Sequence, residues 1–216
     1  MRANTHEIVH PLITAKLTRM RDAGCHPQEA RRLLREIGLF LSYEAARQMD
    51  DATTMHVSAS ATLTGNEVVI CSILRAGLTM SEGIQDVFPS ALMGHLGIVR
   101  HESKDSFEEN DYLVALPAAR NRFFVVVDFA AINGRTALSA MSILKSVQIS
   151  DERIVFICVL TSEEALDLIS TIHPGVHIYY AISKVTAAEA ERFGESMLYG
   201  QHEKTGDKLF GTIAEP

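Results

Sequence analysis

The stretch RFFVVVDFAAINGRTAL, residues 122–138, contains the end of a strand and the start of a helix. Its apolar part, FFVVV, shows no alternation, which is typical of a strand covered on both faces of a sheet. Asp128 ends the apolar run, and the turn residues Asn133 and Gly134 precede a helical pattern from Thr136 to Val147. The stretch therefore predicts a strand, a loop and a helix in the order found in parallel α/β sheets.

Other apolar runs have the same character as this strand. They are VVICSIL (68–74), ALMGHLGIV (91–99), RIVFICVL (153–160) and VHIYYAI (176–182). Helical patterns over 78–87, 136–147 and 162–171 separate most of them, and Thr161 with Glu164 suggests a capping box at the start of the last one. We therefore predict an α/β fold with a mostly parallel central sheet flanked by helices.

The segments outside these runs predict N-terminal helices and a hood loop. Pro11 and Pro27 each open a pattern of apolar residues three and four positions apart, so two helices are expected within residues 1–50. Residues 50–66 are rich in Thr, Ser and Ala, which favours a loop or a small hairpin. Residues 100–117 are polar, charged and too long for an ordinary connection, so we expect a flexible hood loop there.

Length and composition are those of one globular domain over residues 1–216. Apolar residues make up 47% and charged residues 22%, which excludes disordered and collagen-like classes. The 20 basic and 27 acidic residues give a net charge of -7, which disfavours a nucleic-acid partner. Because no apolar run is long enough for a signal or a membrane span, we expect a cytoplasmic protein without a membrane partner. Cys71 and Cys158 lie in apolar runs, and the pattern indicates neither a disulfide framework nor a protein-held metal.

The loop after Asp128 has the chemistry of a ribose-phosphate site. Ligands of open parallel sheets bind beyond the carboxyl ends of the strands. A helix N-terminus with Gly134 and Thr136 offers backbone N–H groups and a positive dipole end to a phosphate, while Asp128 can accept hydrogen bonds from sugar hydroxyls. The same residues also suit an ordinary strand–loop–helix junction with Thr136 as the N-cap, and the spacing leaves both hypotheses open.

Two further loops are weaker candidates for the same site. Arg75 directly follows the strand at 68–74 and lies beside Gly77, which allows close approach of a ligand. A guanidinium binds phosphate oxygens with fixed geometry, although an arginine at a strand end is also common on ordinary surfaces. In TGDKLFGT, residues 205–212, Gly206 and Asp207 suit a tight turn, which by itself indicates no more than a turn.

Sequence motifs of several common enzyme classes are absent. The chain contains no GxGxxG, no GxxxxGK[ST] and no GxSxG. These absences disfavour dinucleotide dehydrogenases, P-loop kinases and serine hydrolases.

Several segments, taken in order, resemble the uracil phosphoribosyltransferases, a type I phosphoribosyltransferase family. They are VHPLITAKLTRMRD (9–22), RRLLREIGLFLSYEAARQ (31–48), SILRAGLTMSEG (72–83), VVDFAAINGRTAL (126–138) and TGDKLFGT (205–212). The resemblance extends from near residue 8 to residue 213. It implies the type I phosphoribosyltransferase fold and the transfer of ribose phosphate from phosphoribosyl pyrophosphate (PRPP) to uracil. The products would be UMP and pyrophosphate in pyrimidine salvage, with Mg²⁺ bound through PRPP.

The resemblance also implies roles for individual residues. Asp128 would bind the ribose hydroxyls, and Arg75 and Arg100 would hold the pyrophosphate. Asp207 would lie near the metal and the pyrimidine, beside Gly206. The loop that cradles the sugar phosphate would comprise Ala131, Ile132, Asn133, Gly134, Arg135 and Thr136. The family further implies a homodimer or a larger homo-oligomer, built partly on the N-terminal helices.

The sequence departs from the family pattern in the loop and in the base-binding tail, residues 183–216. Asn133 stands where the family has Thr, and Arg135 where it usually has Gly. The tail segment SMLYGQHEKTGD lacks the family's Pro-Gly and carries Lys204 in place of an Asp, and Ala115 replaces a lysine in the hood. These departures leave open an alternative function, either altered base specificity or a non-catalytic nucleotide-binding regulatory role.

Overall fold

A computed structural model describes residues 4–22, 24–53, 68–102, 107–117, 122–185 and 209–210. Most of the tail that we expect to bind the base, including Gly206 and Asp207, lies outside the described residues. So does most of the loop or hairpin expected over 50–66, although the second N-terminal helix continues to Thr53.

The described residues form one sheet of eight strands. The strands are β1 (Thr5–Glu7), β2 (Val68–Ile73), β3 (Leu92–Glu102), β4 (Phe107–Ala115), β5 (Phe123–Val127), β6 (Ala130–Ala131), β7 (Ile154–Ser162) and β8 (His177–Val185). Their order in the sheet is β1-β8-β7-β5-β2-β3-β4, with β6 paired to β7. Every pair of neighbouring strands is parallel except β3 and β4. The predicted mostly parallel α/β fold is confirmed.

Helices cover both faces of this sheet. They are α1 (Pro11–Arg21), α2 (Pro27–Thr53), α3 (Gly77–Val87), α4 (Arg135–Ser146) and α5 (Glu163–Ile172). The first three pack on one face and the last two on the other, so successive residues of β5, such as Phe124 and Val125, enter different cores. Burial on both faces explains why the strand sequences are apolar without alternation.

Two antiparallel strands, the hairpin β3–β4, take up most of the described part of residues 100–117, where the sequence predicted a hood loop. β3 continues through Arg100 to Glu102 and pairs antiparallel with β4 as far as His95 opposite Ala115. The polar composition of this stretch gave no sign of a strand, but β4 is the edge strand of the sheet and edge strands tolerate charged residues. The expectation of a loop was therefore wrong over these strands, and residues 103–106 lie outside the described part.

Two predicted helix caps are also wrong. Ser162, and not Thr161, is the N-cap of α5, since its Oγ accepts a hydrogen bond from the Ala165 N–H at 3.0 Å. At α4 the N-cap is Gly134, with a φ of 70°, so Thr136 lies inside the first turn and does not cap the helix. The alternative hypothesis of a Thr-capped junction therefore fails, because the left-handed N-cap position favours glycine.

Candidate active site

The loops after β2 and β5 meet at one edge of the sheet. These strands are parallel neighbours, with Ser72 opposite Val127, so Arg75 and Asp128 both follow carboxyl ends at the same edge. Gly77 lies directly against this strand end, since a Cβ added there would be 2.1 Å from the Val127 oxygen. The structure thus brings together the two loops that the sequence analysis proposed for pyrophosphate and ribose phosphate.

Local hydrogen bonds define the shape of each loop. The Leu78 N–H donates to the Arg75 oxygen at 3.2 Å, which closes a turn before α3, and the Leu74–Arg75 peptide bond is cis. The half-buried Asp128 is held at its N–H by the Ile157 oxygen at 3.1 Å. Its Oδ1 accepts from the Phe129 N–H at 2.7 Å. The carboxylate therefore has a defined position at the start of its loop.

Phe129 anchors the loop that follows. Its side chain is 1% exposed and lies in the core beneath α1–α3. Its carbonyl accepts hydrogen bonds from the N–H groups of Val159 (2.9 Å) and Leu160 (3.1 Å) on β7. Phe129 therefore ties the loop to both the core and the neighbouring strand.

The remainder of the loop leads into the N-terminus of α4. Ala130 and Ala131 form β6 against β7, and the Asn133 Oδ1 accepts from the Arg135 N–H at 3.2 Å. The side chains of Asn133 and Arg135 are exposed, whereas Gly134 and Thr136 are buried. The first N–H groups of a helix have no carbonyl partner within that helix, and the helix dipole places partial positive charge there. The arrangement suits a phosphate group beside the Asp128 carboxylate.

The structure places Arg100 on the hairpin. Leu96 on β3 lies opposite Ile73, the last residue of β2, so Arg100 is four positions beyond the end of that strand. It pairs in register with Glu109 on β4. The hairpin thus carries Arg100 past the sheet edge at which Arg75 and Asp128 lie.

Two polar residues near the loop that follows Asp128, Thr161 and Ser162, were not predicted as part of the site, because the sequence indicated for them only a helix cap.

The buried thiols near the site are held in the protonated form. Burial raises the pKa of Cys71 to about 12. Burial, and secondly the negative charge of Asp128, raise the pKa of Cys158 well above its usual range. Both cysteines therefore behave as small apolar residues beneath the site at neutral pH.

Two further observations concern metals and membranes. Residues 6–10, HEIVH, spell the HExxH pattern of zinc peptidases, but His6 lies in β1 and His10 is the N-cap of α1, so the two do not share a helix face. Within the described ranges, no group of three or more His, Cys, Asp or Glu residues could hold a metal ion. Nor does any helix of that part of the chain have the length and apolar character of a membrane span.

Comparison with known proteins identifies the family. The model of the family described as uracil phosphoribosyltransferase matches residues 7–212. The chain belongs to the uracil phosphoribosyltransferase family. The resemblance seen in the sequence is thereby confirmed. Uracil phosphoribosyltransferases of Ralstonia pickettii (32% identical) and Burkholderia thailandensis (33%) align over 209 residues, 94% of this chain and 93% of each relative.

A solved structure supports the fold of this family member. The AQ2163 protein from Aquifex aeolicus superposes with a TM-score of 0.74 at 23% identity, covering 98% of this chain and 100% of that one. This likeness concerns the fold, and the assignment to the uracil phosphoribosyltransferase family depends on the family match and the relatives.

Proposed function

We propose that the protein is a uracil phosphoribosyltransferase, a pentosyltransferase that forms UMP and pyrophosphate from uracil and PRPP. The observation that carries this proposal is the meeting of the Arg75 loop with Asp128 and the N-terminus of α4 at one sheet edge. PRPP has a phosphate, a ribose and a diphosphate in sequence, and the edge offers a group suited to each. Membership of the family makes uracil the expected acceptor.

In this proposal the loop from Ala131 to Thr136 binds the 5′-phosphate and Asp128 binds the ribose hydroxyls. Arg75 and Arg100 hold the diphosphate, because guanidinium groups match its oxygens in geometry and charge. Asp207 and Gly206 would face the pyrimidine. During transfer the bond between the anomeric carbon and the diphosphate oxygen breaks. A bond between that carbon and a pyrimidine nitrogen forms, and the proton of the nitrogen passes to the departing diphosphate or to water.

This chemistry needs alignment and charge stabilisation more than acid–base catalysis. Diphosphate leaves with the bonding electrons, so cationic groups that neutralise it lower the barrier. Holding the base in line with the anomeric carbon can contribute several kcal/mol, on the order of 7–11 in well-aligned cases. The hairpin β3–β4, which extends beyond the edge of β2, is positioned to limit access of water to PRPP.

Mg²⁺ bound through PRPP fits the residues at this edge. Asp128 supplies carboxylate oxygens, the ligand class that Mg²⁺ prefers, and Mg²⁺ usually takes only one or two protein carboxylates together with substrate phosphates. When bound, the cation neutralises charge on the departing diphosphate. We therefore infer that magnesium enters the site with its substrate.

A pyrophosphate-release assay with PRPP, Mg²⁺ and a panel of bases tests the function. We expect release with uracil, accompanied by UMP detected chromatographically, and little release with cytosine, thymine or purines. Turnover with a different base alone would refute uracil as the acceptor while leaving PRPP as the donor. Absence of turnover with every base would refute the enzymatic function.

Lys204 and Ala115 favour one alternative, a relative with altered base specificity or a non-catalytic nucleotide-binding regulator. Ala115 lies at the end of β4 opposite His95 and provides no positive charge there, and Lys204 lies outside the described residues. Calorimetric binding of UMP or PRPP together with no turnover of any base supports the regulator. Turnover of uracil at a rate typical of enzymes excludes it.

We also propose a homodimer or larger homo-oligomer, which the family membership supports. Size-exclusion chromatography with light scattering tests this: a mass of 23.8 kDa, that of one chain, would contradict it.

A further inference from the structure

The hydroxyl groups of Thr161 and Ser162, at the end of β7, both contact the loop proposed to bind the sugar phosphate. Thr161 Oγ1 donates to the Ala131 oxygen at 3.0 Å. Ser162 Oγ donates to the Ile132 oxygen at 2.5 Å. Both residues are 0% exposed, so neither hydroxyl exchanges these bonds for bonds to bulk water.

These two bonds fix the orientation of two consecutive peptide groups. A trans peptide is planar, and its N–H points opposite to its carbonyl. When the carbonyls of Ala131 and Ile132 are held toward β7, the N–H groups of Ile132 and Asn133 are directed to the opposite face of the loop. Under the proposed function, that face is the one that receives the phosphate.

Ser162 also connects the loop to α5. Its single hydroxyl donates to the Ile132 oxygen and accepts from the Ala165 N–H at 3.0 Å, so it serves as helix cap and loop contact at once. The loop touches the same turn again at Gly134, where an added Cβ would be 3.3 Å from the Ala165 Cα. The loop therefore rests on the first turn of α5 at two separate points.

We infer that Thr161 and Ser162 are positioning residues for the 5′-phosphate of PRPP. They touch no substrate in this arrangement, and act by holding the peptide groups of the loop in the orientation that binds phosphate before PRPP arrives. The inference rests on the proposed function of the loop, and it adds two residues that the site predicted from the sequence does not contain.

The test compares the inhibition constants of two inhibitors, ribose 5-phosphate and pyrophosphate, in variants of the purified protein. Ribose 5-phosphate engages the loop through its phosphate, whereas pyrophosphate engages the Arg75 side of the site. In Thr161→Val, which keeps the size and branching of the side chain, we expect the inhibition constant of ribose 5-phosphate to rise about tenfold, as for loss of one buried hydrogen bond. We expect the constant for pyrophosphate to change less than twofold. Ser162→Ala should show the same split.

Controls separate positioning from general stability. Ser42→Ala removes another fully buried hydroxyl that donates to a carbonyl, that of Leu39 on α2 at 2.8 Å, and should change neither inhibition constant. Thr161→Ser keeps the hydroxyl and should restore ribose 5-phosphate binding, which keeps the test usable if Ser162→Ala does not fold. Equal changes in both constants, or no change in either, would overturn the inference.

Failure of the proposed function gives a different result. If the wild-type protein neither turns over PRPP nor binds ribose 5-phosphate in calorimetry, the function of the loop is wrong and the inference falls with it. If the wild type binds ribose 5-phosphate and Thr161→Val binds it equally well, the positioning role alone is refuted.

Discussion

Gly77→Ala should disable the site through backbone displacement alone. The new Cβ would lie 2.1 Å from the Val127 oxygen and 2.9 Å from its carbonyl carbon, and real Cβ atoms essentially never approach closer than 3.0 Å. Because 3.0 Å exceeds 2.1 Å by 0.9 Å, either the start of α3 or the end of β5 must move by about 0.9 Å. Both neighbours are backbone atoms, so no side-chain rotation relieves the contact.

The movement affects both halves of the donor site, because Gly77 is two residues from Arg75 and Val127 directly precedes Asp128. A misplacement of about 1 Å can reduce catalysis on the order of 100-fold, so we expect kcat/KM for PRPP to fall by roughly that factor. Overpacking costs about 1–3 kcal/mol, which for a chain of this size lowers Tm by roughly 2–12 °C.

Steady-state pyrophosphate release and a thermal melt measure the two effects. Gly24→Ala is the matched control, since its Cβ would meet only the Asp22 carboxylate at 3.4 Å, an ordinary contact distance. It should leave activity and Tm near the wild-type values. Wild-type kcat/KM in Gly77→Ala would refute the argument that this contact aligns the two loops.

Other substitutions test individual groups. Asp128→Asn and Arg75→Ala should each lower turnover strongly, on the order of 100-fold, with Tm nearly unchanged, because both side chains are proposed to bind substrate; pyrophosphate release with parallel melts checks this. Burial lowers the pKa of His6, so the folded state disfavours its protonation and stability should fall as pH drops below about 6.5. The Tm of His6→Phe should therefore fall less than the Tm of the wild type between pH 7.5 and pH 5.5. An equal fall in the two proteins would contradict this. The hydrogen bond from Lys16 lowers the pKa of Glu36. The ionised Glu36 side chain therefore contributes about 1 kcal/mol or less to the stability of the fold, because the site is partly exposed. This contribution is present above the unfolded pKa near 4.5 and is lost as pH falls further. The Tm difference between wild type and Glu36→Gln should accordingly shrink between pH 7 and pH 3 in scanning calorimetry.

The sequence predicted the five strands that are long, mostly apolar runs, β2, β3, β5, β7 and β8, and missed the short or polar strands β1, β4 and β6. β2, β5 and β7 have every residue buried, so their apolar runs mark them directly. β1 contains only Thr5, His6 and Glu7, and it exists because these residues pair with β8. That pairing depends on tertiary structure, which periodicity within a three-residue segment cannot show.

The residues of the candidate site also differ in whether the sequence alone could predict them. Arg75 and Asp128 could be predicted because both follow apolar strands, and the ends of parallel strands share an edge. Thr161 and Ser162 could not, because their importance depends on which loop lies across from the end of β7. The sequence did indicate hydroxyl residues at this junction, but a one-residue error in the helix start assigned the cap to Thr161.

Buried hydroxyl groups support both loops of the proposed PRPP site. On the diphosphate side, Ser72 Oγ donates to Ser81 Oγ at 2.7 Å, and Ser81 Oγ donates to the Gly77 oxygen at 3.0 Å; both serines are fully buried. On the phosphate side, Thr161 and Ser162 hold the carbonyls of Ala131 and Ile132. Since Gly77 touches the strand end that carries Asp128, the two supported loops are also fixed relative to each other. A donor that spans both loops then binds to groups already in place, so its binding free energy is not consumed in ordering the loops and can instead align the anomeric carbon with the incoming base.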